Sequence, residues 1–191
     1  MRTGRTALVI IDVQNAILRG VGGRRAGEIQ QALDGTVGRI AGLLARARAA
    51  GAPVIHVQHD GGPDHRLAVG GEGWQIRREL APAKGEEVVR KRSCDAFFQT
   101  SLSVALAARA VERMVVAGCM TEFCVDTTCR RAVTLGYDVA LVADGHMTAD
   151  SGGLAFEQII AHHNALLDGF DAGDRAISVV PGSDIRFVPA T

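Results

Sequence analysis

Residues 6–12 read Thr6-Ala-Leu-Val-Ile-Ile-Asp12, an apolar run halted by a carboxylate. Apolar side chains without alternation suit a strand buried on both faces, and such strands belong to parallel sheets covered by helices. Outward from this run the chain alternates between short β-branched segments and longer helical ones. A glycine-rich stretch (Gly20, Gly22, Gly23) leads to a helix expected over about Glu28 to Ala50, with Ile29, Leu33, Val37, Ile40 and Leu44 spaced by threes and fours. Gly51 ends that helix, and Pro53 opens a second strand through Gln58. An irregular Gly- and Pro-rich segment, His59 to Lys84, holds the only tryptophan, Trp74. Strands are then expected at Glu87–Arg90, Arg113–Ala117, Asp138–Val142 and Ala176–Val180. Helices are expected at Leu102–Ala110, Thr121–Leu135 and Ser151–Leu167. Repeated strand–helix–strand order predicts an α/β fold: three layers, α/β/α, around a six-stranded, mainly parallel, Rossmann-like sheet, formed by one domain over residues 1–191.

The composition narrows the function classes. Of the 191 residues 47% are hydrophobic and 22% charged, and 21 Lys plus Arg balance 21 Asp plus Glu. A net charge of zero without a basic stripe argues against nucleic acid as a partner. No run approaches the 18 or so apolar residues of a membrane span, so no membrane partner is expected either. The first apolar run, cut off at Asp12, does not read as a signal peptide, and a cytoplasmic protein with four reduced cysteines is expected. Arginine supplies 19 of the 21 basic residues; the only lysines are Lys84 and Lys91.

Parallel sheets bind ligands beyond the carboxyl ends of their strands. Asp12 follows the first strand, Lys91 the third, and Cys124 lies just past the fourth, so all three project toward one edge although 112 residues separate the first from the last. Each has an ordinary reading: a turn residue, a solvated edge charge, a small core residue. Together they compose a nucleophilic site. Cys124 would occupy the first turn of its helix, where the dipole and a nearby Lys91 ammonium favour a thiolate. Asp12 would take the thiol proton and return it to a leaving nitrogen. The turn Gly118-Cys-Met-Thr121 is suited to aim N–H groups at an oxyanion.

Four segments carry a resemblance that spans nearly the whole chain: Ala7-Leu-Val-Ile-Ile-Asp-Val-Gln-Asn15, Val88-Val-Arg-Lys-Arg-Ser-Cys-Asp-Ala-Phe97, Val115-Val-Ala-Gly-Cys-Met-Thr-Glu-Phe-Cys-Val-Asp-Thr-Thr128 and Gly136-Tyr-Asp-Val-Ala-Leu-Val-Ala-Asp144. In order and spacing they resemble the isochorismatase-like cysteine hydrolases. The resemblance implies the isochorismatase-like hydrolase fold, an Asp12–Lys91–Cys124 triad, a cis peptide at Cys119–Met120, and an oxyanion hole made by the N–H groups of Met120 and Cys124. Relatives that cleave isochorismate's enol ether lack the nucleophile, so Cys124 points to an amide, lactam or N-carbamoyl substrate. Nicotinamidases of the family carry a metal site on an Asp-x-His pair after strand two. Here the stretch is Val57-Gln-His59, without the aspartate. His56, His59 and His65 are therefore read as a strand histidine and loop histidines, and neither a metal nor another cofactor is expected.

Trp74 and Phe97 are read as pocket walls, with Ile17 and Phe123 behind them; each has the alternative of ordinary core. Cys94, three residues after Lys91 where relatives often place an aromatic, is read as facing the pocket. Cys119 and Cys129 are read as packing residues, and their spacing matches no zinc motif. Gly20-Val-Gly-Gly23 followed by Arg24 and Arg25 lacks a phosphate-loop pattern and reads as a flexible lid. His146 is placed near the site or a subunit neighbour, and His162–His163 in a structural helix. The expected function is hydrolysis of a small molecule's C–N bond through a thioester, by a homo-oligomer (dimer or tetramer, by analogy with relatives). The rival readings are ester or enol-ether cleavage in the same pocket, and a binding protein that kept the fold.

Overall fold

The computed structural model describes residues 5–187. Its strands are β1 (Arg5–Ile11), β2 (Val54–His59), β3 (Glu87–Lys91), β4 (Val111–Cys119), β5 (Asp138–Met147), β6 (Asp171–Ala172) and β7 (Arg175–Val180). They form one sheet in the order β3-β2-β1-β4-β5-β7-β6, parallel throughout except that β6 pairs antiparallel with β7. The six expected strands all form; the two-residue β6, too short to show a periodicity, is the seventh. β1 is central. Val9 faces Ile55 of β2 on one side and Val116 of β4 on the other.

Alternate side chains of β1 enter different cores, as the period of two requires. Leu8 and Ile10 pack with Ile29, Leu33 and Ile40 of α1 (Ala26–Ala49). Ala7, Val9 and Ile11 pack instead with Leu102 and Leu106 of α2 (Leu102–Ala107) and with Ala132 and Val133 of α3 (Asp126–Thr134). A fourth helix, α4 (Phe156–Leu167), contacts β5 and β7. Among the described residues no helix is long and apolar enough to cross a membrane.

Several boundaries differ from the expected ones, each for a local reason. β5 runs on to Met147 because the ladder shifts: Val116 pairs with Leu141, but Gly118 pairs with His146. α4 starts at Phe156, not Ser151, since Gly152 and Gly153 adopt positive φ (60° and 81°) and the Asp150 carboxylate accepts the Phe156 N–H at 2.9 Å. α3 is preceded by a single π turn, Thr121–Val125. Arg25, at the end of the 20–25 segment, bonds to Glu28, Asp150 and Glu157 and lies over the Phe156 ring.

The strand order reverses between β1 and β4, which opens the crevice that parallel sheets use for ligands. Gly118 lets β4 press against β1 there. Its φ is 136°, and a Cβ at this position would lie 2.0 Å from the Ile11 carbonyl oxygen.

Candidate active site

At the end of β1 the chain turns at Asp12, whose φ of 51° is a left-handed value that aspartate tolerates better than most residues. Lys91 is the last residue of β3, with β2 between it and β1. Neighbouring strands lie nearly 5 Å apart, so the two backbones are separated by about 10 Å. The unbranched lysine stem crosses the end of β2 and places Nζ 2.5 Å from Asp12 Oδ2. The same Nζ lies 3.2 Å from Cys124 Sγ and donates to the Ser93 carbonyl at 2.8 Å. Cys124 sits on the π turn after β4, and the Cys119–Met120 peptide that leads into it is cis. Of the three side chains only that of Cys124 belongs to a residue with appreciable exposure, 9%, against 0% for Asp12 and 2% for Lys91.

Burial dominates the electrostatics. It raises the Asp12 carboxyl above the usual carboxylate range, and the Lys91 ammonium offsets this only in part. Burial opposes the Lys91 charge too, but Asp12 and Cys124 together hold that group above an ordinary lysine. The Cys124 thiol is pushed up, first by burial and then by the Asp12 charge, with Lys91 pulling the other way. This corrects the expectation of a depressed thiol: the dipole of one short turn does not outweigh desolvation beside a carboxylate. Burial therefore favours the proton on the Cys124 sulfur and makes Asp12, placed beside it to accept that proton, a stronger base than an ordinary carboxylate.

The sequence did not single out Gln14, which is wholly buried. Its amide donates to the carbonyls of His59 (3.0 Å) and Trp74 (2.7 Å), and its oxygen accepts the His59 N–H at 3.0 Å. Gln58 also donates to the Trp74 carbonyl, at 2.9 Å. The only legible sign of this clamp was its place two residues after Asp12. Trp74 is half-buried: its indole N–H donates to Asp60 Oδ1 at 3.0 Å, and the Arg90 guanidinium lies 4.4 Å from its ring centre. Of the other proposed pocket walls, Ile17 lies in the α1-side core, and its carbonyl accepts from Arg66 Nε at 3.0 Å. Phe97 is buried in the same core as Cys124 and stacks on Tyr137. Phe123 is half-exposed beside Cys124, and Cys94 is exposed. Cys119 and Cys129 are wholly buried.

The histidines divide by role. His56 is buried, its ring held below the usual histidine range mainly by desolvation, and its Nε2 meets Glu86 at 3.1 Å. His59, near the His65 ring, is pushed down to about 4 by burial and then by the charge of Lys91. Among the described residues no group of three His, Cys, Asp or Glu side chains is placed to hold a metal ion. His146 bridges Thr121 Oγ1 (2.9 Å) and Asn164 Oδ1 (2.8 Å), which braces the π turn against α4. His163 bonds to the Ile159 carbonyl within α4, and His162 packs against its ring.

The Isochorismatase domain matches residues 6–164, more than half of the chain and all of the elements that build this site. The chain belongs to the isochorismatase family. A streptothricin hydrolase of Streptomyces noursei is 41% identical over 144 residues, 75% of this chain and 50% of the relative. A ureidoacrylate amidohydrolase RutB of Variovorax paradoxus is 29% identical over 217 residues, 97% of this chain and 82% of the relative. Among solved structures, an isochorismatase from Pseudomonas putida KT2440 superposes with a TM-score of 0.81 at 32% identity, covering 95% of this chain and 90% of that one. This isochorismatase-family chain spans about half the length of the streptothricin hydrolases it matches.

Proposed function

We propose that this isochorismatase-family protein is a cysteine amidohydrolase that cleaves an amide, lactam or N-carbamoyl C–N bond of a small molecule. The observation that carries the reading is the convergence of Asp12, Lys91 and Cys124 from three strands, with one ammonium 2.5 Å from the carboxylate and 3.2 Å from the sulfur. The amidohydrolase and streptothricin hydrolase relatives support the same bond class.

In this mechanism Asp12 removes the Cys124 proton as the substrate carbonyl arrives. The thiolate forms an S–C bond, and the carbonyl electrons move to an oxygen held by the N–H groups of Met120 and Cys124. Lys91 balances the charge as it passes between sulfur, carboxylate and oxyanion. The tetrahedral species collapses with loss of the C–N bond, and Asp12 passes its proton to the departing nitrogen. Asp12 then deprotonates a water, which attacks the thioester; the acid leaves, and the proton returns to sulfur.

A screen of small amides and N-carbamoyl compounds, read by ammonia release, tests the proposal. With an active substrate, quenched mixtures should contain protein heavier by the acyl group at Cys124, and Cys124→Ala should abolish both this adduct and turnover. Turnover of an amide by Cys124→Ala at the wild-type rate would sink the covalent mechanism. A parallel set of esters and enol ethers, followed by product chromatography, that alone gave turnover would replace the bond class.

A further inference from the structure

The break in register between β4 and β5 places a histidine against the Cys124 turn. Val116 faces Leu141 and Gly118 faces His146, so two steps along β4 match five along β5. The resulting bulge is held from several sides. A Cβ on Gly145 would lie 2.6 Å from Val142 Cγ1, the Asp144 carboxylate accepts the Gly182 N–H at 2.8 Å, and the Asp144 carbonyl accepts from Arg39 at 2.7 Å. His146, delivered by this bulge, is buried. Its backbone lies in register with Gly118 and its ring meets the buried Thr121, so the Cys119–Met120 peptide is bracketed between two attachments of one residue.

The hydrogen bonds fix where the protons lie. The Ala143 carbonyl can only accept, so the amide nitrogen of Asn164 faces it, at 3.0 Å, and Asn164 Oδ1 is left facing His146 Nε2 at 2.8 Å. Nε2 therefore carries a proton. Burial holds the ring below the usual histidine range; the Asn164 bond and Asp144 oppose this and His163 adds to it, so the ring is neutral at pH 7. In that form Nδ1 is an acceptor, and the Thr121 hydroxyl donates to it at 2.9 Å. The run of donors passes from Thr121 through His146 and Asn164 to Ala143, back into the same bulge.

We propose that His146 is a positioning residue for the hydrolysis: with its proton fixed on Nε2, it anchors Thr121 and so holds the Met120 N–H on the developing oxyanion. The inference rests on the amidohydrolase reading, in which that N–H belongs to the oxyanion hole, and adds the group that aims it. Thr121 adjoins Met120, whose carbonyl accepts the N–H groups of Phe123 and Val125, both at 3.2 Å. A displaced Thr121 therefore turns the Met120 peptide units with it. Oxyanion donors act over a narrow range of distance and angle, so a small displacement costs rate rather than substrate binding.

Thr121→Val keeps the side chain's shape and removes its hydroxyl. With an amide that the wild type turns over, it should lower kcat about tenfold and leave KM within about twofold. Thr121→Ser, which keeps the hydroxyl, should recover most of the loss. Alkylation of Cys124 by iodoacetamide forms no oxyanion, so its rate should stay within about twofold in both variants. Nitrogen-15 spectra of the histidine-labelled full chain give a second readout. The ring whose Nδ1 signal moves in Thr121→Ser should carry its proton on Nε2 and be neutral at pH 7. A proton on Nδ1, or an imidazolium at pH 7, would overturn the proposal whether or not the valine variant folds. Turnover by Thr121→Val at the wild-type rate would overturn it too, with the amidohydrolase reading left standing. Equal loss of turnover and alkylation would do the same, because it marks a general loosening of the Cys124 turn. A wild type whose Cys124 alkylates but which turns over no amide would remove the amidohydrolase reading, and the positioning role with it.

Discussion

Lys91 reaches a carboxylate and a thiol from two strands away, with both its own charge and that of Asp12 removed from water. Removing one member of a buried pair strands the other, while removing both is far less damaging. Lys91→Met should therefore lower stability by about 3–5 kcal/mol and abolish turnover. The double substitution of Asp12→Asn with Lys91→Met should regain most of that stability and remain inactive. Denaturant titration beside an ammonia-release assay checks both. A double variant as unstable as Lys91→Met would show that the defect is lost packing, not an orphaned charge. The residue types brought together here were legible before the fold, since an aspartate, a lysine and a cysteine near the ends of three parallel strands read as a nucleophilic set. The direction of the thiol's shift was not. Helix-end and neighbouring-charge arguments see one turn and one partner, whereas desolvation sums over every group that excludes water from Cys124.

At the scale of elements, the segment between β2 and β3 is long, irregular and yet tightly held. Its residues bond to the chain just after β1: the Asn15 N–H to the Gln75 carbonyl, the Ala16 N–H to the Gly73 carbonyl, and the Arg77 N–H to the Val13 carbonyl. Gln14 is the buried centre of this seam. Gln14→Leu keeps the volume but leaves the His59 N–H and the His59 carbonyl without their side-chain partner and weakens the hold on the Trp74 carbonyl. Unpaired buried groups of this kind cost about 1–3 kcal/mol each, and a net loss of about 3 kcal/mol is expected. Trp74 is the only tryptophan, so its emission reports on the seam directly: a red shift under native conditions is expected, with an earlier unfolding midpoint. An unchanged spectrum would mean that Gln58 alone holds Trp74. None of this seam is periodic in sequence, because its bonds join backbone groups some 60 residues apart. The helix and strand positions, by contrast, were readable to within a few residues except where a ladder shift or a glycine pair moved the end.

Across the molecule, Glu86 fastens three parts of the fold. It pairs with Arg48 of α1 at 2.8 Å, meets His56 of β2 at 3.1 Å, and accepts the Ala83 N–H at 2.8 Å. The Arg48 hydrogen bond is the main reason its carboxyl falls to about 2 from an ordinary 4.5. A depressed carboxyl stabilises the folded state fully above its unfolded value, and that contribution is lost as pH falls through the folded value. The stability due to Glu86 should thus be complete above about pH 4.5 and gone near pH 2. After discounting for solvent around Arg48, Glu86→Gln should cost about 1–2 kcal/mol at pH 7. The gap from wild type should close as the pH approaches 2. Thermal melts from pH 2 to 8 measure it, and a gap independent of pH would assign the loss to packing. By itself the sequence determined the layered α/β plan and the chemical types at the strand ends, because apolar periodicity is a local record of which side of each element is buried. Only the tertiary structure decided that Lys91 spans β2 to touch both Asp12 and Cys124, and that the thiol is raised. Those are distances and desolvation between segments far apart in the chain, and no local pattern encodes them.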